Sequence, residues 1–170
     1  MTGGSAAARR ALVTSLPEVI RRSGWAVQMV GDDVPFAYSI GASETLPGTP
    51  EVLVFAPSLH LAGHLVNDVL RRVREGTLRV AEGVRDVNLL AGEHPVVYRR
   101  VHESQFSEYL GIGLEYHEWR RPGEPAPAHV MAVVADANGV FPWEAGYDPR
   151  RNLPTPPLWQ PTRPVGHFRA

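Results

Sequence analysis

Apolar residues recur at every second position from Trp25 to Val30 and again from Phe36 to Ile40. That is the period of a half-buried strand. In the first run Trp25, Val27 and Met29 share one face, and Ala26, Gln28 and Val30 share the other. In the second, Phe36, Tyr38 and Ile40 point together, and "GDD" turns the chain between the two. "EVLVFA" (51–56) and "HVMAVVA" (129–135) are apolar on both faces, which predicts central strands. "HPVVYRRVH" (94–102) predicts a further strand. Between them the period changes to that of a helix. Leu59, Ala62, Leu65, Val66, Val69, Leu70 and Val73 fall on one stripe, predicting a long helix over 58–75 that Ser58 caps and Gly76 ends.

The remaining stretches carry weaker patterns. Ser15-Leu16-Pro17-Glu18 has the form of a capping box with proline in the first turn, predicting a short helix to Ser23 with Gly24 as its stop. Residues 1–14 are small and polar at first, so a loosely ordered segment is expected there. "TLRVAEG" and "RDVNLL", within 77–92, predict two short strands around a turn. Ser104 is placed to cap a helix through Tyr116, which Gly111 and Gly113 weaken by roughly 1 kcal/mol each. "VADANGVFPWEAGY" (134–147) predicts a hairpin whose second strand Pro142 stops. Seven of the 16 prolines lie from Pro142 onward. That excludes helix and central strand, while Trp143, Tyr147, Leu158, Trp159 and Phe168 argue against free disorder.

These elements predict one α+β domain: a mostly antiparallel sheet, one long packed helix, shorter flanking helices and a proline-rich C-terminal wrap. The boundaries are a loose segment over 1–14, the domain over 15–147, and an extension over 148–170 packing on the body or on a partner subunit. The apolar tail residues make a homodimer an expectation.

Composition narrows the class. The chain has 170 residues, 44% of them hydrophobic, and a formal net charge of −1. It lacks the basic excess of a nucleic-acid binder. All 17 basic residues are arginine, so lysine Schiff bases and a P-loop lysine are excluded. No cysteine is present, which excludes disulfides, thiolate metal sites and a cysteine nucleophile. No apolar run reaches the ~18 residues of a membrane span, and the first residues lack the apolar core of a signal peptide. A cytoplasmic location is the expectation.

Three stretches together carry a family resemblance: "GWAVQMV" with "PFAYSIG", then "PEVLVFAPSLHLAGHLVNDVLRRVREG", then "VVADANGVFPWEAGY" with the later "WQP". From about Gly24 to Pro161 the chain resembles a bacterial family designated domain of unknown function 4262. Two departures stand out, Gly41-Ala42 in place of a Gly-Leu pair and a longer "SETLPGTP" loop. The resemblance implies a compact α+β domain and no particular reaction.

Candidate chemistry gathers at three places. At the end of the second predicted strand, Tyr38 and Ser39 precede Gly41, where a ligand or another strand can approach the backbone closely. Ser39 lies in no nucleophile elbow. On the 94–102 strand Arg99 and Arg100 point to opposite faces. A guanidinium there needs a carboxylate partner or an anionic ligand, and His102 closes the strand as an acid or base beside it. At the hairpin, Asp136 suits an Asx turn, while Trp143 is either buried at the corner or the wall of a pocket with Glu144 as a polar contact. His60 and His64 share a helix face at i,i+4, but Asp68 lies a further turn away, about 12 Å from the first. A solvated face is expected, with a two-histidine metal site completed by His94, His102 or His117 as the alternative. The other arginine pairs are scattered and balanced by acids.

The functional expectation is a small molecule, an anion among the candidates, bound between Tyr38–Gly41, Arg99–His102 and Trp143, with or without catalysis. The alternative is a non-catalytic module that binds a protein partner through the tail aromatics and a sheet edge. A flavin or haem would fit such a pocket, but no residue demands either.

Overall fold

The computed structural model describes residues 6–90 and 94–162, with Arg151 described in its backbone alone. Within them the chain builds a six-stranded mixed sheet. Its strands are β1 (Ala26–Val30), β2 (Phe36–Ile40), β3 (Glu51–Phe55), β4 (Arg85–Asp86), β5 (Val96–Arg100) and β6 (His129–Val134), in the spatial order β1-β2-β3-β6-β5-β4. Every neighbouring pair is antiparallel except β3 and β6, which run parallel at the centre. All residues of β3 are buried, and β6 is buried from His129 to Val133. Covered faces explain why both strands are apolar on both sides.

Helices cover the two faces. On one, α3 (Leu59–Arg74) lays Ala62, Leu65, Val66, Val69 and Leu70 over Val52, Val54 and Ala132. Ser58 accepts the Leu61 N–H at 3.2 Å and caps its N-terminus as the sequence predicts. On the other face lie α1 (Ala6–Ser23), α4 (Phe106–Tyr109) and α5 (Gly111–Arg120), over a core that includes Tyr38, Leu53, Met131 and Phe141. A single turn, α2 (Ala42–Thr45), follows β2. The α+β single domain expected from the pattern is thus the fold observed.

Four local expectations change. Helix α1 begins by Ala6, not at Ser15, because Val13, Leu16 and Ile20 supply a stripe that buries against the sheet layer. Ser15 is interior to it and donates to Leu12 O at 2.7 Å instead of capping. The expected loose segment over 1–14 otherwise falls on residues 1–5, outside the described residues. Between 77 and 90 only Arg85–Asp86 is strand; side chains hold the rest, as Val80 and Leu89 enter the α3 core.

The helix expected from Ser104 is broken. His102, not Ser104, caps a short 3-10 turn at Glu103–Gln105, and Leu110 then leaves the helical region at φ −116° as it buries completely. Gly113 sits in α5 where a Cβ would lie 3.1 Å from Tyr38 Cε2, so the glycine permits the close approach. After the "DANG" turn no second strand forms. Asp136 Oδ1 accepts Asn138 N and Val140 N at 2.8 and 3.0 Å, so side-chain bonds replace a ladder.

The tail from Asn152 to Thr162 touches the body. Asn152 Nδ2 donates to Val134 O, His102 N donates to Leu158 O, and Leu158 is buried. The extension expected over 148–170 includes residues 163–170, which lie outside the described residues. No described helix is long and apolar enough to cross a membrane.

Candidate functional site

Two of the central strands open on a polar residue, β3 on Glu51 and β6 on His129. The parallel pairing sets these two side by side, and both are buried, at 2% and 3% exposure. Their neighbours Leu53 and Met131 belong to the core under α1 and α5, so Glu51 and His129 share that face. They line a cavity of about 240 Å³ together with Ser39, Gly41 and Ser43 from the β2–α2 corner and Tyr116 and His117 from α5.

The Glu51 carboxylate is held by five donors. Oε1 accepts Gly41 N at 3.0 Å, Ser43 N at 3.0 Å and Ser43 Oγ–H at 2.7 Å. Oε2 accepts Ser39 Oγ–H at 2.5 Å and Ala42 N at 3.3 Å. The β2–β3 ladder ends at Tyr38–Leu53, and Ser39 Oγ then takes the Val52 N–H at 2.9 Å in place of a backbone carbonyl. Gly41 adopts φ 87°, the left-handed region that turns β2 into α2 and aims successive N–H groups at the carboxylate. Glu51 therefore caps a helical turn that has no cap from its own sequence. Every one of these contacts brings a donor to the carboxylate.

His129 is differently placed. Its Nδ1 lies 2.9 Å from Pro127 O. A carbonyl only accepts, so Nδ1 carries a proton, and in the neutral ring that burial favours Nε2 keeps its lone pair. Burial pushes the imidazole below its ordinary pKa, while the Glu51 charge and the Pro127 bond pull the other way. The ring packs edge-on to Phe106 at 5.2 Å. His117 Nε2 lies 3.1 Å from Glu124 O, to which it donates. Burial pushes the Tyr116 hydroxyl up to about 12, and the Glu44 carboxylate adds to that.

The residues singled out in the sequence fall into two groups. Ser39 and Gly41 belong to the cavity, bound to Glu51. Tyr38 lies in the core beside it. Its hydroxyl accepts Gly113 N at 3.3 Å, and burial pushes it up to about 12. Arg99, His102 and Trp143 are not brought to it. A cleft lined by Arg99 and His102 shares no lining residue with the Glu51 cavity. Arg99 Nε lies 2.7 Å from Glu82 Oε1, so this guanidinium has a carboxylate partner. It also sits 4.6 Å from the Trp143 ring centre.

Trp143 is 39% exposed, stacked on Phe141 at 5.0 Å and edge-on to Trp159 at 5.5 Å. It is thus neither buried at a corner nor a wall of the Glu51 cavity. Glu144 Oε2 accepts Phe141 N at 2.9 Å, and Asp136 holds its own loop and Asp148 N. His102 Nδ1 accepts Ser104 N. His60 and His64 are exposed on α3. Among the described residues, no group of three or more histidines and carboxylates is arranged to hold a metal ion.

Glu51, Ser43, Tyr116, His117 and His129 therefore complete a site of which the sequence pointed only to Ser39 and Gly41. The signal was present in the two strand openings, since a carboxylate and an imidazole each start a run otherwise apolar on both faces.

No curated protein and no solved structure matches the chain. A sequence-family model does, over residues 19–148, a span that takes in Ser39, Gly41, Glu51, His117 and His129. With that match covering more than half of its length, the chain belongs to the family described as domain of unknown function (DUF4262).

Proposed function

We propose that this domain binds a small neutral or cationic polar molecule in the Glu51–His129 cavity, with His129 Nε2 as the central acceptor. The observation that carries the proposal is the state of His129. A buried imidazole with one nitrogen committed to Pro127 O presents the other as a fixed lone pair beside a carboxylate. That pairing suits hydrogen-bond acceptance from a hydroxyl or amine, and proton abstraction from a bound molecule of suitable acidity. Charge favours the same class. Glu44, Glu51 and Glu124 line the cavity against Arg121 alone, which lies 3.6 Å from Glu124. An anionic ligand would meet this excess of carboxylates. The carboxylate of Glu82 stands beside Arg99, where the sequence reading expected an anion or a structural partner, and this favours the structural partner there.

The test is a titration watched at the ring nitrogens of His129 by ¹⁵N NMR. Small amines, guanidines and polyols are added in turn, with phosphate as the anionic control. An Nε2 shift with an amine or polyol, retained in Trp143→Ala, is the expected result, together with a calorimetric affinity for the same probe that His129→Gln weakens. A response to phosphate alone, or none up to millimolar concentrations of any probe, would overturn the proposal.

A further inference from the structure

A second cavity, of about 540 Å³, lies between the β1–β2 turn and the proline-rich C-terminal segment. Its chemistry differs from that of the first. Phe55, Tyr109, Tyr147 and Trp159 supply aromatic surface, and the last three are only half-buried. Pro154, Pro156 and Pro157 form part of its lining. Asp32 and Asp33 are its charged residues, both exposed, and no arginine among the described residues lines it. Neither aspartate has an ion-pair partner among the described residues. Tyr109 and Asp32 line the same cavity, and the Asp32 charge adds to the burial and the Glu108 charge that raise the Tyr109 hydroxyl.

The lining limits what could dock. Prolines have no N–H to offer, so this wall cannot extend a sheet by adding a strand. A lone small cation would meet the carboxylates and leave the aromatic surface uncovered. A polyproline II segment needs no backbone ladder. It docks its proline rings on aromatic side chains, arrives already extended, and presents side chains on three edges. An arginine on such a segment pairs with carboxylates and packs on aromatic rings at once.

We propose that this groove binds an extended, proline- and arginine-bearing peptide segment of a partner protein. Aromatic rings hold the prolines and Asp32 and Asp33 hold the arginine. The proposal is independent of the Glu51–His129 cavity, since no residue lines both.

The experiment is fluorescence anisotropy with a fluorescein-labelled nonapeptide of three Pro-Pro-Arg repeats, at low and high salt. Saturable binding is expected, weakened about tenfold in the Asp32→Asn, Asp33→Asn double variant, as two partly exposed charge pairs would give. Added salt should weaken it as well. Repeats of Pro-Pro-Glu and of Gly-Ser-Arg should each bind at least about tenfold more weakly. The Trp159 indole should shift in a parallel NMR titration, and His129→Gln should bind as the parent does. Absence of saturable binding overturns the proposal. So does equal binding of the Gly-Ser-Arg peptide, which would mean attraction by charge alone, or an unchanged affinity in the aspartate variant. The aspartates are exposed, so their substitution leaves the fold available for the test.

Discussion

Glu51→Gln tests whether the cavity corner is built around an anion. The substitution keeps size and shape and removes the charge. If the amide oxygen takes the Oε1 position, it retains the bonds from Gly41 N, Ser43 N and Ser43 Oγ, now without charge assistance. The amide NH₂ then faces Ala42 N and the Ser39 hydroxyl, both donors to Oε2 in the parent. Ser39 can turn only partly, because its oxygen already accepts Val52 N. One buried N–H is left without a partner, at about 1–3 kcal/mol, and three charge-assisted bonds fall to neutral strength. Relaxation recovers part of this, so the expected loss is about 2–4 kcal/mol. In thermal terms that is a Tm lower by roughly 5–15 °C for a chain of this size. Equilibrium urea unfolding followed by tryptophan fluorescence gives the total. Amide hydrogen exchange at Gly41, Ala42 and Ser43 gives the location, with exchange expected to speed up by about 30- to 1000-fold. A loss under about 1 kcal/mol, or acceleration spread evenly over the chain, would refute the anion-centred account of this corner.

Three further outcomes follow from the same structure. His129 is held below its ordinary pKa, chiefly by burial. Above about pH 6.5 the imidazole is neutral in both states; below it the unfolded chain takes up a proton that the folded chain resists. Stability should therefore fall as pH drops from about 6.5 through the folded-state pKa, and His129→Gln should flatten that limb of a pH series of urea titrations. Asp86 receives both Arg72 nitrogens at 2.8 and 2.9 Å, Tyr98 Oη–H at 2.9 Å and Asn88 N at 2.9 Å. Burial alone would raise its carboxyl, but these bonds hold it below its usual value. Asp86→Asn should cost about 3–5 kcal/mol at neutral pH and less as the parent is titrated below about pH 4, measured by the same unfolding series. Gly41→Ala places a Cβ 2.5 Å from Ile20 Cδ1 at φ 87°. A loss of at least about 1–3 kcal/mol is expected in urea, and Ile20→Ala in the same chain should relieve the clash while leaving the backbone strain.

Periodicity recovered most of the sheet. Strands β1, β2, β3, β5 and β6 and helix α3 lie where the apolar spacing placed them, because in each case burial and local period agree. The pattern was weaker where tertiary contacts override propensity. Ser15-Leu16-Pro17-Glu18 has every local mark of a helix start. Yet Val13 finds a buried position one turn earlier, and the helix continues through Pro17. Leu110 interrupts an otherwise helical stretch because its side chain is buried completely, a fact about the opposing surface that no local spacing contains. The two-residue β4 is short because Asp86 turns inward to Arg72 and Tyr98 rather than continuing a ladder.

The candidate site depended on a pairing, and pairing is not a local property. Ser39 and Gly41 could be singled out, since a glycine ending a strand marks a close approach. What approaches is Glu51, across an antiparallel ladder that stops at Tyr38–Leu53. His129 joins only because β6 inserts parallel to β3, between β3 and β5, rather than pairing with a sequence neighbour on each side. A polar residue opening a central strand is ambiguous alone, since it can sit at the sheet edge in water. Two such residues on adjacent central strands, in register and on one face, are enclosed here with α5 and the Pro125–Pro127 loop around one shared cavity. Each is then met by protein or by whatever occupies that cavity. Glu51 is met by protein in full, with five donors. His129 is met on one nitrogen, and this asymmetry turns a structural corner into a site with an acceptor to offer. Arg99 shows the opposite balance. Its charge looked unmet in the sequence, but Glu82 Oε1 lies 2.7 Å from Nε and two tryptophan rings cover the guanidinium, although the buried Nε–H has no aligned hydrogen bond. Chemistry is therefore to be sought at the histidine left half-satisfied rather than at the arginine.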